Sequence, residues 1–306
     1  MLAYALRRLA GIVPALLVLA TISFFVIRLS PGGPFDAQQG LAPEVKANLE
    51  AAYGLDRPLA VQYARYMQAL LHGELGPSFK LRDTQVSELV ARGLPVSALL
   101  GLAALAVGVS LGLAVGILAG LAPRGAFDHG ATVFTAVAIA LPSFVIAPLL
   151  ALLFGVYLHW LPVAGWRPDP AHLALPVITL ALPLAAAVAR LTRNALIEAM
   201  RSEFVRTARA KGLPERTIVL RHALRPALLP VVSYLAPAIA AVLTGSLVVE
   251  TLFSLPGTGR YLVEGALDRD YTLVMGMVLV YGAVTLAASL AADLIYAWLD
   301  PRVRHD

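Results

Sequence analysis

The chain contains no cysteine, which excludes disulfides, thiolate metal sites and cysteine nucleophiles and leaves the redox compartment open. Charge is scarce too: Asp, Glu, Lys and Arg make up 14% of 306 residues, against about 25% in an ordinary soluble domain. With 59% hydrophobic residues and a mean hydropathy of +0.77, the sequence cannot close as a soluble globule and reads as a polytopic membrane protein. The formal charge of +5 does not point to nucleic acid, because the basic residues are spread between apolar runs in a topological pattern.

Catalytic signatures are also missing. There is no Walker A sequence, no zinc-protease motif and no plausible triad, so neither ATP hydrolysis nor peptide cleavage is expected of this chain. Gly108-Val-Ser-Leu-Gly112 matches the nucleophile-elbow pattern by accident, since its flanks are apolar helix rather than strand and turn. Gly257-Thr-Gly259 lacks the following Lys and Ser/Thr of a phosphate loop and reads as a turn. His159 and His172 have no partners at metal-ligand spacing and read as polar loop residues, so no metal is expected. The spans carry few charges beyond Glu250 and Asp293, each near enough to an interface to be solvated or paired. A proton or sodium relay therefore has little material, and an ion-coupled secondary transporter or channel stands only as the alternative class.

What the chain does have is six apolar runs. Arg7-Arg8 precedes the first, about Leu9 to Ile27, long enough to cross about 30 Å of hydrocarbon and expected to be an uncleaved signal anchor. Residues 30–95 then take on the composition of a small soluble unit, with seven basic and seven acidic residues balancing between Arg28 and Arg92. Helices are expected from Pro43 to Gly54, from Leu59 to about Leu71 and from Val86 to Leu94. The second run, about Val96–Leu121, has Gly108, Gly112, Gly116 and Gly120 on one helical face, which predicts a close packing seam. A third, about Thr132–Leu158, is interrupted at Pro142-Ser143 and Pro148, with Trp160 and Trp166 suiting an interfacial belt. The last three runs are about Leu173–Ala189, Leu228–Val249 and Thr272–Trp298. Arg7, Arg8, Arg124, the nine basic residues from Arg190 to Arg225, Arg302 and Arg304 fall on one side; short loops on the other hold only Arg167, Arg260 and Arg269. That asymmetry predicts both termini in the cytoplasm.

Between the fourth and fifth runs lies a basic island, Glu203–Pro230. Glu203–Lys211 has good helix formers, Gly212 supplies a left-handed residue, Leu213 follows as the apolar cap, and Pro214 suits the start of a second helix over about Glu215–Leu224. The stretch predicts a compact two-helix knob in water. The hydroxyl-bearing residues of the spans, Ser143, Thr179, Ser233, Tyr234, Thr244 and Ser246, could line a solute path or simply bond their own helix backbone.

Arg206-Thr-Ala-Arg-Ala-Lys-Gly212-Leu213 with Arg221-His-Ala-Leu-Arg-Pro-Ala-Leu-Leu-Pro230 resembles the cytoplasmic signature loop of ABC-importer permeases, in the variant of dipeptide and oligopeptide importers. Where the wider superfamily opens the loop with Glu-Ala-Ala, this chain has Arg206, Thr207 and Ala208. Tyr53-Gly-Leu-Asp-Arg-Pro-Leu59, Gln62-Tyr63 and Gly73-Glu-Leu-Gly-Pro-Ser78 resemble the external loop of the first oligopeptide permease subunit, and the segment from Glu250 to Tyr271 extends the match. The resemblance implies an all-α membrane protein with six transmembrane helices and the type I ABC-importer permease fold, carrying a helical external loop after the first span and a cytoplasmic coupling helix. It implies a signal-anchor helix at 1–29, an external loop at 30–95 and a five-helix core at 96–306 with a coupling loop at 198–230. It implies ATPase coupling through Glu203, Arg206, Thr207, Ala208, Arg209, Ala210, Lys211, Gly212 and Leu213, and a path touching Ser143, Ser233, Tyr234, Thr244 and Ser246. The implied partners are a homologous second permease, two ATPase subunits that hold ATP and Mg, an external solute-binding protein and a peptide, all at a bacterial inner membrane and with no nucleic acid. Dipeptides, nickel complexes, glycosides and murein peptides remain alternative cargoes.

Overall fold

A computed structural model describes residues 2–35, 42–81 and 83–299, excepting the side chains of residues 2–9, 244, 245 and 294–299. Among the described residues the chain is helical, with one isolated β-bridge between Pro77 and Gln85. In order the helices are α1 (Leu2–Leu29), α2 (Pro43–Ala52), α3 (Leu59–Leu71), α4 (Val86–Leu121), α5 (Ala126–Ala140), α6 (Ser143–Leu150) running on as a π-helix over Ala151–Tyr157, and α7 (Pro170–Met200). They continue as α8 (Glu203–Ala210), α9 (Glu215–Thr217) with a π-helical stretch Ile218–Ala223, α10 (Leu224–Ala227), α11 (Leu229–Leu252), α12 (Thr258–Leu267) and α13 (Tyr271–Leu299). Five of these are long and apolar enough to cross a membrane; α5 and α6, bent by 107° at Leu141-Pro142, make a sixth if counted as one broken span.

Two boundaries differ from the sequence reading. The third external helix and the second span are one helix, α4, which runs through Pro95. A proline inside a helix removes one backbone donor and crowds the carbonyl four residues back, but in a membrane protein neighbouring groups readily absorb that loss. The outer segment read as a loop contains α12. Gly257, extended at φ −96° and ψ 172°, opens it rather than forming a turn, and Arg260 donates to Glu264 one turn on at 2.7 Å.

The chain divides into two compact units, one centred on Ser97–Leu255 and one made of Ala10–Val96 with Pro256–Val284. The first is organised by α4 against α7. A Cβ added at Gly108 would lie 2.7 Å from Leu184, at Gly112 2.6 Å from Val188, at Gly116 2.7 Å from Thr192, and at Gly120 3.2 Å from Leu196. Each four-residue step along α4 meets a four-residue step along α7, so the predicted seam exists and the two helices run parallel. Parallel neighbours constrain the chain between them: it must leave at the end of α4 and re-enter at the start of α7, the opposite end of the pair. The broken pair α5 and α6 therefore makes one net crossing. The break itself follows from Pro142, which biases Leu141 to extended backbone, φ −85° and ψ 118°.

The second unit is tied together by Asp270, fully buried just ahead of α13. One carboxylate oxygen accepts from the Leu273 amide at 3.1 Å, capping α13. The other accepts from Ser78 Oγ and from the amides of Phe79 at 3.0 Å and Lys80 at 3.3 Å, which fastens the loop that follows α3. Tyr271 donates to the Gly32 carbonyl at 2.6 Å and Arg269 to that of Pro31 at 3.2 Å, fastening the end of α1 to the same place. Val86, Leu89, Leu273 and Met277 form the apolar core beneath.

The seam gives a direct test. Gly116→Leu should push α4 and α7 apart at a cost of about 1–3 kcal/mol or more, seen as a lower melting temperature and aggregation on size exclusion in detergent. Gly130→Ala, where nothing lies within 4 Å of the new Cβ, should be neutral or slightly stabilising. Equal behaviour of the two variants would refute the seam.

Candidate functional site

The knob is built as the residue order requires. In α8, Val205 and Ala208 are buried while Arg206, Thr207, Arg209 and Ala210 face solvent. The helix then closes in a Schellman turn. Gly212 has φ +73°, its amide donates to the Arg209 carbonyl at 2.9 Å, and the Leu213 amide reaches back to Ala208 at 3.3 Å. Pro214 sits one residue before α9, not inside it, with φ −67° and ψ 143°. The second helix departs from a plain α-helix, widening to a π-helix over Ile218–Ala223. Pro226 supplies the reason: it has no N–H for the His222 carbonyl and its ring crowds that oxygen, so the turns ahead of it shift their donors by one residue.

Beneath the corner, Val205, Ala208, Ile218, Ala223 and Ala227 close over Leu196 and Ala199 of α7, with Ile117 of α4 packed alongside. The knob thus shares its core with the end of the glycine seam. Ala208, one of the residues assigned to coupling, lies inside this core rather than on the surface. The remaining assigned residues, Glu203, Arg206, Thr207, Arg209, Ala210, Lys211, Gly212 and Leu213, are exposed. Exposed Phe204 and Leu220 add apolar surface to the knob that the residue-by-residue reading passed over. The signal was available in Phe204, a large aromatic inside an otherwise basic helix.

Two ion pairs stiffen the exposed face, Arg206 to Glu203 at 2.6 Å and Arg209 to Glu215 at 2.6 Å, the second a two-pronged contact across the corner. That hydrogen bond holds the Glu215 carboxyl below its ordinary value of 4.5 and raises Arg209. Nearby, Arg193 of α7 forks onto the buried carboxylate of Asp128 in the first turn of α5, one arm at 2.8 Å. Asp128 also accepts from the Arg124 amide at 2.8 Å.

Of the path residues, Ser143 and Tyr234 come together on one cavity of about 200 Å³, between the start of α6, α7 and α11. Ser233, Ser246 and Thr179 do not join them. Ser233 donates to the Leu229 carbonyl at 3.0 Å, Ser246 is 1% exposed and donates to Leu243 at 2.7 Å, and Thr179 donates to Leu175 at 2.8 Å. These three hydroxyls follow the other reading, bonding their own helix. The Thr244 side chain lies outside the described residues. Glu250 is fully buried, so the option of solvation at the interface does not apply to it. His172 is engaged by Asp169, its amide and ring nitrogen both on one carboxylate oxygen at 2.9 and 2.8 Å. Among the described residues no three His, Asp or Glu converge as a metal site.

Membrane-crossing helices with a solvent-facing helical knob rooted in their packing seam define a polytopic transport permease. Residues 112–305 match the family described as binding-protein-dependent transport system inner membrane component, and residues 1–98 match its N-terminal membrane-component family. The chain belongs to this family of inner-membrane permeases. It is 47% identical over 306 residues, all of both chains, to the oligopeptide transport system permease protein OppB of Escherichia coli (strain K12). It is 46% identical over the same length to OppB of Salmonella typhimurium, and 38% identical to the dipeptide transport system permease protein DppB of Bacillus subtilis over 98% of this chain and 97% of that one. A solved structure of the inward-facing MetNI methionine ABC transporter aligns with a TM-score of 0.56 at 19% identity, covering 70% of this chain and 97% of that one; it shows the fold, that of a type I ABC-importer permease.

The Arg209–Glu215 pair carries a pH signature. A carboxyl depressed in the folded state contributes above its unfolded value and loses that contribution as pH falls through the lower folded value. Hydrogen exchange at the amides of Gly212 and Leu213 should therefore be faster in Glu215→Gln than in the native chain at pH 7. The difference should vanish once the medium is acid enough to protonate Glu215. The effect should be small, since both side chains are exposed.

Proposed function

We propose that the chain is a transmembrane permease subunit of an ATP-driven importer for peptides, oligopeptides foremost, and that it forms half of the translocation path. The observation that carries this reading is the knob's construction: an exposed left-handed corner whose core is shared with α7 and with Ile117 of α4, so that a push on the corner reaches the membrane helices. The contact surface for an ATPase subunit is Glu203, Arg206, Thr207, Arg209, Ala210, Lys211, Gly212 and Leu213, with Phe204 beside them; Ala208 positions them from within. ATP and Mg belong to two partner ATPase subunits. A homologous second permease completes the path, and an external solute-binding protein delivers the cargo. Residues 1–29 are the signal-anchor span, 30–95 the external helical loop and 96–306 the permease core with its coupling loop at 198–230, and both termini are cytoplasmic. Ser143 and Tyr234, the two path residues that meet at a cavity, are the best placed to touch solute. Full-length similarity to the OppB proteins favours oligopeptides; the similarity to DppB supports dipeptides as the second reading.

Coupling and topology can be tested separately. Gly212→Val has no neighbour to clash with, so its cost is backbone strain of about 1–2 kcal/mol from placing a β-branched residue at φ +73°. Insertion and assembly with the second permease should survive while substrate-stimulated ATP hydrolysis and uptake fall. Native coupled activity in that variant would sink the coupling assignment. Because the chain has no cysteine of its own, Leu71→Cys, at a position 79% exposed, and Lys211→Cys can each be probed cleanly. A membrane-impermeant thiol reagent should label the first in intact cells and the second only in inverted vesicles; the reverse pattern would invert the topology.

A further inference from the structure

Two cavities lie end to end between α4, α5 and α7, all within the first unit. One, of about 260 Å³, is bordered by Arg190, Arg193 and Asn194 towards the knob end of α7. The other, of about 230 Å³, runs on from it and shares Val115, Thr135 and Ala189. Together they make a cleft that follows α4 from Ala119 back to Val107 and α7 from Arg190 back to Ile178. Each of those stretches rises about 18 Å at ~1.5 Å per residue, close to the depth of one leaflet of a ~30 Å hydrocarbon core.

The two ends differ in chemistry. Away from the knob every lining side chain is apolar except Thr135, whose hydroxyl donates to the Thr132 carbonyl at 3.0 Å. Leu111 there is 54% exposed and Phe134 48%, so the groove is open along its side rather than sealed. At the knob end only donors are left over. Arg193 spends its Nε and one Nη on Asp128 and its other Nη on the Asn194 side-chain oxygen at 3.0 Å. That bond orients the Asn194 amide, whose NH2 remains to donate. The Asp128 carboxylate is covered and already accepts from Arg193 and from the Arg124 amide. Arg190 is exposed, and its guanidinium has no ion pair or hydrogen bond among the described residues.

We propose that this cleft holds one anionic phospholipid of the bilayer, its phosphate on Arg190 and the Asn194 amide, one acyl chain along Val115, Leu111 and Phe134, and its other chain outside among bulk lipid. Charge selects the headgroup. Arg193 and Asp128 cancel, which leaves Arg190 as an unmatched cation, and no carboxylate lines either cavity to meet the ammonium of a zwitterionic lipid. Length and apolarity select the tail, since a free phosphate would leave the hydrocarbon groove unfilled. Seated there, the lipid fills the space between the first half of α5 and the glycine seam. The site does not depend on the coupling assignment, and it holds on whichever face of the membrane the knob lies.

The test uses the full chain in phosphatidylcholine nanodiscs with a trace of phosphatidylglycerol that carries a diazirine midway along one acyl chain. Irradiation should attach this probe to peptides containing Leu111 or Phe134. Unlabelled phosphatidylglycerol should compete, whereas phosphatidylethanolamine should not. Arg190→Gln should lower the labelling about threefold to tenfold, and Arg190→Lys should retain most of it. Ala136→Trp, at an exposed cleft position on α5, should block the labelling without touching the seam. Arg201→Gln, an exposed charge that lines neither cavity, should leave it unchanged. Equal competition by phosphatidylethanolamine would overturn the proposal, as would labelling unmoved by both Arg190→Gln and Ala136→Trp, because the contact would then be with bulk lipid alone. Stronger competition by free palmitate than by phosphatidylglycerol would overturn it in favour of a fatty acid. Loss of labelling on co-reconstitution with the second permease would overturn it by making the cleft a subunit interface.

Discussion

The membrane core rests on one constraint, the four-residue registry of glycines on α4 against α7. Lipid gives helices no hydrophobic reason to associate, so close backbone approach and van der Waals packing must do it, and side chains at Gly112 and Gly116 would forbid that approach. The registry also fixes the helices as parallel, and from that follows the single net crossing of the bent pair α5 and α6. Arg193 on Asp128 secures the same bent pair to α7 by a buried, two-pronged ion pair. The Asp128 carboxylate is covered while Arg193 stays part-exposed, and the pair pins the first turn of α5 to α7.

The knob inherits its rigidity from the same place. Its corner is short and exposed, and by itself a helix of eight residues would be marginal in water. What holds it is the apolar floor of Leu196, Ala199 and Ile218, which belongs as much to α7 as to the knob. A surface built this way can transmit force, because α8 cannot move without disturbing the end of the seam. The Schellman turn at Gly212 and the π-helical stretch before Pro226 are local solutions to the same problem, each reversing or adjusting the chain where an ordinary α-helix could not continue.

The second unit follows a different rule, polar convergence on a single carboxylate. Asp270 satisfies four donors from two segments far apart in sequence, and in doing so fixes the loop after α3 to the start of α13.

Much of this was written in the sequence. Apolar run length gave the spans, glycine spacing gave the seam, and Gly212-Leu-Pro gave the corner, because each is a local or periodic requirement that particular residues alone can meet. Helix α12 and the unbroken α4 were missed for the converse reason: propensity favoured a turn at Gly257 and a stop at Pro95, and tertiary packing overrode both. Which hydroxyls meet at a cavity was not legible either, since Ser143 and Tyr234 lie on different helices and Ser246 faces its own backbone. The pairing of Ser78 with Asp270, 192 residues apart, was decided by tertiary structure alone, because no periodicity in a sequence encodes which distant polar groups will be desolvated together.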